Sequence, residues 1–221
     1  MNYLTHELLN SDELEILRKN LDNENLFWED GKQTAGKHAA EVKNNLQLKR
    51  DASLSKKFSE LIIKKILSND LIKSFALPKK IHGTMFSKST SGMKYGRHID
   101  NAYMSSGRSD LSFTIFLNSK ENYEGGALSI ESFNSEEKFK LDAGEIIIYP
   151  STYLHSVEEV IAGERLVFIG WIESYVKSIE DREYLFDLDA SARSLLAKYG
   201  RSDEVDLIFK SYSNLLRRLG S

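Results

Sequence analysis

Gly96-Arg97-His98-Ile99-Asp100-Asn101 and Pro150-Ser151-Thr152-Tyr153-Leu154-His155, whose His155 stands 55 residues after Asp100, are the two stretches whose reading decides the fold. His98 and Asp100 stand two apart, so on an extended strand both side chains point to one face. His155 follows the apolar run Glu145-Ile146-Ile147-Ile148-Tyr149 and must reach them from elsewhere in the fold. Two imidazoles and one carboxylate on one side of a metal leave its other side open, the arrangement of non-haem iron(II) oxygenases. The expectation is that His98, Asp100 and His155 hold one iron(II) ion.

A lone His-x-Asp arises by chance on loops and is weak by itself. Arg165 and Trp171 sharpen it. They follow His155 on another apolar run, where Arg165, Val167, Ile169 and Trp171 share one face of a period-two strand. An inward-pointing Arg is expensive unless an anion meets it. A dicarboxylate co-substrate would supply that anion, and the planar fork of Arg suits a bidentate carboxylate. Trp171, also a natural core residue, is kept beside Arg165 as a co-substrate contact.

With 221 residues the chain can bury one substantial core. Its 30 basic and 33 acidic residues give a net charge of -3, which favours neither nucleic acid nor an anionic membrane. No run approaches the length of a transmembrane helix, and Met1-Asn2-Tyr3-Leu4-Thr5-His6-Glu7 is no signal peptide. The absence of cysteine excludes disulfides, Cys-ligated zinc, iron–sulfur clusters and thiol catalysis, and fits a cytoplasmic location.

Along the chain, Ser11 is placed as the cap of a first helix and Ser53 as the cap of a second, striped by Leu54, Phe58, Leu61, Ile62 and Ile66. Phe27 to Gly31 reads as a strand ending in a turn, while Gln33 to Leu48 is too polar to assign. From Leu77 the period changes. Ile81–Phe86, Leu111–Leu117, Ala127–Ile130, Lys138–Leu141, Glu145–Tyr149 and Arg165–Ile172 read as short strands, separated by turn signals at Gly125-Gly126, Asp142-Ala143-Gly144 and Ala162-Gly163. Glu136-Glu137-Lys138 reads as a solvated turn. So many short strands suggest an antiparallel sandwich or jelly roll. After Tyr175 two helices follow, with a capping box at Ser178 and Asp181 and a stop at Gly200. The apolar stripe Val205, Ile208, Phe209, Tyr212, Leu216 and Leu219 should pack on the β core or on another subunit, which leaves a homodimer open. His6, His38 and His82 lack motifs and read as surface or structural. Tyr95 and Tyr103 flank the iron motif as channel lining or packing.

The chain resembles the PKHD-type, or PiuC-like, hydroxylases, iron(II)- and 2-oxoglutarate-dependent dioxygenases related to prolyl 4-hydroxylases. The matching stretches are Thr34-Ala35-Gly36, Asn45-Leu46-Gln47-Leu48, Gly92 through Asn101, Arg108-Ser109-Asp110-Leu111-Ser112, Gly125-Gly126-Ala127-Leu128, Tyr149 through His155, Gly163-Glu164-Arg165, Leu185 through Asp189, and Asn214 through Arg218. The resemblance implies an α+β chain, mainly β with flanking helices. A supporting N-terminal helical region (1–76) would precede a double-stranded β-helix (jelly roll) core (77–176) and a C-terminal helical hairpin (177–221). It also implies His98, Asp100 and His155 as iron ligands, Arg165 on the distal carboxylate of 2-oxoglutarate, and O2 as oxidant, with ascorbate as an accessory reductant. Hydroxylation of a peptidyl, prolyl-type C–H bond with release of succinate and CO2 is the implied reaction. Relatives often carry a Tyr in a Phe-Asn-Arg-Tyr-like run, where this chain has Phe86-Ser87-Lys88-Ser89. That puts a Tyr contact to the co-substrate in doubt and nominates Lys88 as a substitute.

Three alternatives stay open at this point. The substrate could be a free amino acid or small metabolite. The same three ligands could hold catalytic zinc in a hydrolase, although Arg165 then has no evident role. The chain could be a non-catalytic jelly-roll binding module, against which the intact triad argues. Retention of Asp100 argues against a halogenase.

Overall fold

The computed structural model describes residues 3–22, 26–50, 52–132 and 135–221; Met1 and Asn2, where the N-terminal reading begins, lie outside them. In chain order, β1 (Leu4–Glu7) precedes α1 (Ser11–Leu21). β2 (Trp28–Asp30) runs into a 3-10 turn (Gly31–Thr34), the one-turn helix α2 (Lys37–Ala40), β3 (Lys43–Asn44) and β4 (Leu46–Leu48). Helices α3 (Ser53–Ser68) and α4 (Asp70–Ala76) follow. The strands β5 (Pro78–Thr90), β6 (Lys94–His98), β7 (Tyr103–Met104), β8 (Gly107–Arg108), β9 (Leu111–Phe116) and β10 (Tyr123–Gly125) come next. Then come β11 (Leu128–Glu131), β12 (Glu136–Phe139), β13 (Glu145–Pro150), β14 (Leu154–Val157) and β15 (Val160–Ser174), before α5 (Ile179–Tyr199) and α6 (Asp203–Leu219).

Two antiparallel sheets face each other. The larger has the order β1-β13-β9-β15-β5-β4-β2, with β10 added against β15; the smaller has the order β12-β11-β14-β6-β3. This is the expected jelly-roll core, and β1 to β4, from the first 76 residues, are woven into its sheets. The alternation of strand side chains divides the interior in two. Ile146 and Ile148, Phe113 and Ile115, and Leu166 and Phe168 point outward to α1, α3 and α4, where they meet Leu14, Leu17, Phe58, Ile62 and Ile66. Ile147, Tyr149, Phe116 and Val167 point inward to Leu128, Ile130 and Phe139 of the smaller sheet. Central strands are therefore buried on both faces; β13 reads as a nearly unbroken apolar run, while β9 turns the small polar Ser112 and Thr114 inward.

Several expectations needed correction. Asn10, not Ser11, caps α1: its side chain accepts from the Glu13 amide while the Glu13 carboxylate accepts from the Asn10 amide. Ala52 occupies the cap position of α3, and Ser53 is its first residue. Glu136 opens an edge strand rather than a turn, since Glu136 and Lys138 pair with Glu131 and Ser129. Ala162-Gly163 is no turn between strands: β15 runs through it, and Gly163 (φ +78°) lets the Asn122 carbonyl approach within 2.2 Å of where a Cβ would stand. Ser178 does cap α5, accepting from the Asp181 amide, while its hydroxyl donates to Glu180. Gly200 ends that helix with φ +78°. Against α5, α6 rests Tyr212, Leu216 and Leu219 beside Leu77, Val176 and Leu185. Among the described residues no helix is long and apolar enough to cross a membrane.

Phe168 is fully buried, 4.8 Å from the Phe86 ring centroid and 6.1 Å from that of Phe113. Phe168→Ala is expected to cost about 3–5 kcal/mol of stability, read as a lower urea midpoint at unchanged slope.

Candidate active site

β6 and β14 are neighbours in the smaller sheet, and their register sets His98 directly opposite His155. The two rings lie 4.3 Å apart. Asp100 sits two residues beyond the end of β6, in the loop that follows rather than on the strand, and brings Oδ2 to 3.7 Å from His155 Nε2. One ligating atom from each of the three falls within 4.8 Å of the others.

Backbone carbonyls choose the tautomers. His98 Nδ1 lies 2.8 Å from Gly96 O and His155 Nδ1 lies 3.0 Å from Tyr153 O. A carbonyl only accepts, so both Nδ1 atoms carry the proton and both Nε2 lone pairs face the common centre. Burial, and His155 beside it, hold the His98 pKa at about 4, so the ring is neutral at pH 7. Ser112 donates to Asp100 Oδ2 at 2.6 Å, and its single proton being used there, Ser151 must donate to Ser112 at 2.7 Å. Tyr149 closes the back of the site with its ring edge toward His155. This donor set — two imidazole lone pairs and a fixed carboxylate — suits a divalent first-row metal with open positions.

The three residues open onto a cavity of about 440 Å³ between the sheets, within the usual range of small-ligand sites. Arg165, Val167, Ile169 and Trp171 all line it, as their alternation on β15 requires. Arg165 is 3% exposed and makes no ion pair among the described residues; its Nε has no hydrogen-bond partner. Burial draws its pKa down, against the influence of Tyr123 and Tyr149, and its guanidinium lies 5.4 Å from the Phe116 ring centroid. A buried guanidinium of this kind fits a carboxylate that enters with a ligand. Trp171 Nε1 is likewise buried without a partner.

Ser87 and Ser89 of β5 line the cavity, and Ser89 is the register partner of Arg165. Lys88 alternates to the other face, where it pairs with Glu164 at 3.5 Å and lies over Trp28, so it cannot stand in for the absent Tyr. A buried hydroxyl beside Arg165 comes from Tyr123 of β10, and Tyr149 is a second buried tyrosine acting on it. Tyr95 stacks on His98 with ring centroids 3.6 Å apart, and Tyr103 stands 74% exposed at the mouth. His82 is buried and structural, bonded to Arg108 O and Ser106 Oγ. His38 is exposed and His6 is on β1, both away from the cavity lining.

Lys43, Asn45 and Arg50 also line the cavity, and the sequence reading gave them no role. They come from the polar stretch that resisted assignment and from the turn just after it. The signal available was its resemblance to relatives at Asn45-Leu46-Gln47-Leu48. Lys43 is 5% exposed and its pKa falls to about 8, mainly through burial and then through Arg50 nearby.

The 2OG-Fe(II) oxygenase superfamily profile matches residues 84–173, and the PKHD-type hydroxylase C-terminal domain matches residues 180–220. PKHD-type hydroxylases of Prochlorococcus marinus strains MIT 9215 and MIT 9312 are 74% and 71% identical, each over 100% of both chains. Among solved structures, a Pseudomonas putida prolyl-4-hydroxylase has TM-score 0.54 at 18% identity, covering 78% of this chain and 92% of that one. A Trichoplax adhaerens prolyl hydroxylase in complex with a hypoxia inducible factor peptide fragment has TM-score 0.56 at 14% identity, covering 83% and 86%. These two establish likeness of fold.

Gly83 has φ +65°, and a Cβ there would lie 2.6 Å from the Trp171 ring. Gly83→Ala is expected to displace that ring, costing about 1–3 kcal/mol and shifting tryptophan emission; an unchanged spectrum and stability would show the ring is not held there.

Proposed function

Because this chain belongs to the PKHD-type hydroxylase family of 2OG-Fe(II) oxygenases, we propose that His98, Asp100 and His155 hold its iron(II) and that Arg165 receives the distal carboxylate of 2-oxoglutarate. Trp171 forms the adjoining wall. In this reading the enzyme hydroxylates a C–H bond of a peptidyl, prolyl-type substrate. The observation that carries the site assignment is the convergence of the two Nε2 lone pairs with Asp100 in a cavity holding a buried, acid-free Arg165. The substrate reading rests on kinship of fold with prolyl hydroxylases.

Iron(II) with 2-oxoglutarate supplies the oxidation, in which O2 gives one atom to the substrate C–H bond and one to succinate, with loss of CO2. The chain's own residues do the rest. Gly96 and Tyr153 carbonyls keep each imidazole in its ligating tautomer. Ser112 holds Asp100 Oδ2, with Ser151 behind it, so the carboxylate does not rotate away. Arg165 is positioned before any ligand arrives, because the rigid β15 fixes its backbone and Phe116 supports its face. Tyr149, Val167 and Ile169 exclude water from one side. A hydrolase built on the same triad would leave Arg165 buried without use.

Anaerobic addition of iron(II) and then 2-oxoglutarate to metal-free protein tests the site. A visible charge-transfer band is expected in the wild type and none in Asp100→Ala. Arg165→Ala should weaken co-substrate binding about 100-fold, since truncating one partner of a buried charge pair costs about 2–5 kcal/mol. An unchanged titration in either variant removes that residue from the site.

A further inference from the structure

Once the proposed iron and co-substrate are counted, the charges around the cavity leave an excess in one place. Iron(II) and the 2-oxoglutarate dianion cancel, and so do Asp100 and Arg165. The lining retains two further cations, Lys43 and Arg50, and among the described residues no further carboxylate. Neither makes an ion pair among the described residues. Lys43 Nζ reaches Thr34 Oγ1 at 3.3 Å and lies over the Tyr95 ring, 4.9 Å from its centroid. Arg50 reaches Gly83 O at 3.4 Å and Met85 Sδ at 3.6 Å, both uncharged acceptors. Arg50 repels Lys43, while Asp100 and Asp30 attract it without forming an ion pair with it, so the two cations stay open to a further anion. Asn45 Oδ1, on the same wall, is buried without a partner.

Their placement relates them to the chemistry. Lys43 pairs in register with Tyr95 across β3 and β6, and Tyr95 stacks directly on His98. A ligand group held at Lys43 therefore lies one aromatic ring from the proposed iron, on the side of the cavity built by residues 34–50. At the mouth, Ile99 and Tyr103 offer exposed apolar surface.

We propose that Lys43 and Arg50 anchor the substrate, and that the substrate carries a carboxylate close to the carbon that is hydroxylated. This rests on the iron and 2-oxoglutarate assignment above and adds the substrate's charge to it. The carboxylate belongs either to a free amino acid or to an acidic residue beside the reacting residue of a peptide.

The test uses the anaerobic iron(II)·2-oxoglutarate complex of the full chain, read by perturbation of its visible band and by tryptophan emission, since Trp171 lines the cavity. The probes are the free amino acids with their amides, and blocked prolyl peptides flanked by Glu or Asp with their Gln or Asn counterparts. At least one acid is expected to perturb the complex, its amide binding at least 10-fold more weakly. Lys43→Met and Arg50→Gln should each lose that binding at least 10-fold, Lys43→Arg should restore most of it, and 2-oxoglutarate affinity should stay within about 2-fold. Response to free acids alone, or to acidic peptides alone, identifies the source of the carboxylate. Equal binding of acids and amides, silence across the panel, or unchanged binding in Lys43→Met overturns the proposal. A loss of 2-oxoglutarate affinity in Lys43→Met also overturns it, by giving the lysine to the co-substrate. Failure of the band to form in the wild type removes the iron reading beneath it, and the proposal with it.

Discussion

Arg165 projects from the 15-residue β15 into the space between the sheets, where desolvation pulls its pKa down and no described carboxylate answers it. A folded chain carries such a group only at a cost, and the fold is arranged to bear it. β15 is the best-supported strand of the larger sheet, bonded along its length to β5 and β9 and near its start to β10. Its opposite face drives Leu166, Phe168 and Ile172 into the helices. The apolar face holds the strand in place, and the polar face is thereby free to present a charge that the core alone would not tolerate.

The triad follows the same division of labour. Neither histidine is positioned by its neighbours in sequence alone. The antiparallel register of β6 and β14 sets them opposite each other, and a register irregularity between His155 and Val157 follows immediately. Short contacts to backbone carbonyls then fix the ring orientation, so the site's geometry depends on main-chain atoms that side-chain substitution leaves alone. Asp100 is the exception. It lies beyond the strand and depends on Ser112 and Ser151, which come from β9 and the residue after β13 of the opposite sheet. The site is closed by one sheet and tied down by the other.

What the sequence made legible was periodic. Runs such as Glu145–Tyr149 and the alternation from Arg165 to Trp171 carry their own geometry, so the strands and the inward side of β15 could be read directly. Local capping was read one residue off at Asn10, because Asn10 and Ser11 are both good caps and only the reciprocal bond to Glu13 separates them. The segment from Gln33 to Leu48 stayed dark for a different reason. Its elements are two to four residues long, too short for a period, and are held by distant partners such as Lys88 and Tyr95. Lys43 and Asn45 were invisible for that reason, although they line the cavity. Lys88 was misjudged because its place in the alternation of β5 could not be known until the strand's true extent, Pro78 to Thr90, was seen.

The distance along the chain between His98 and His155 has a consequence for the protein's lifetime. An unfolded chain brings the two imidazoles together only by closing a long loop, so it holds no equivalent site for a cation. Any ion seated there therefore binds the native state alone and draws the folding equilibrium toward it, by about 2.7 kcal/mol when its free concentration is 100 times its dissociation constant. In a cell short of the ion, the same molecules would open more often and meet proteases more often. Abundance of the protein would then follow supply of the metal without any change in its synthesis.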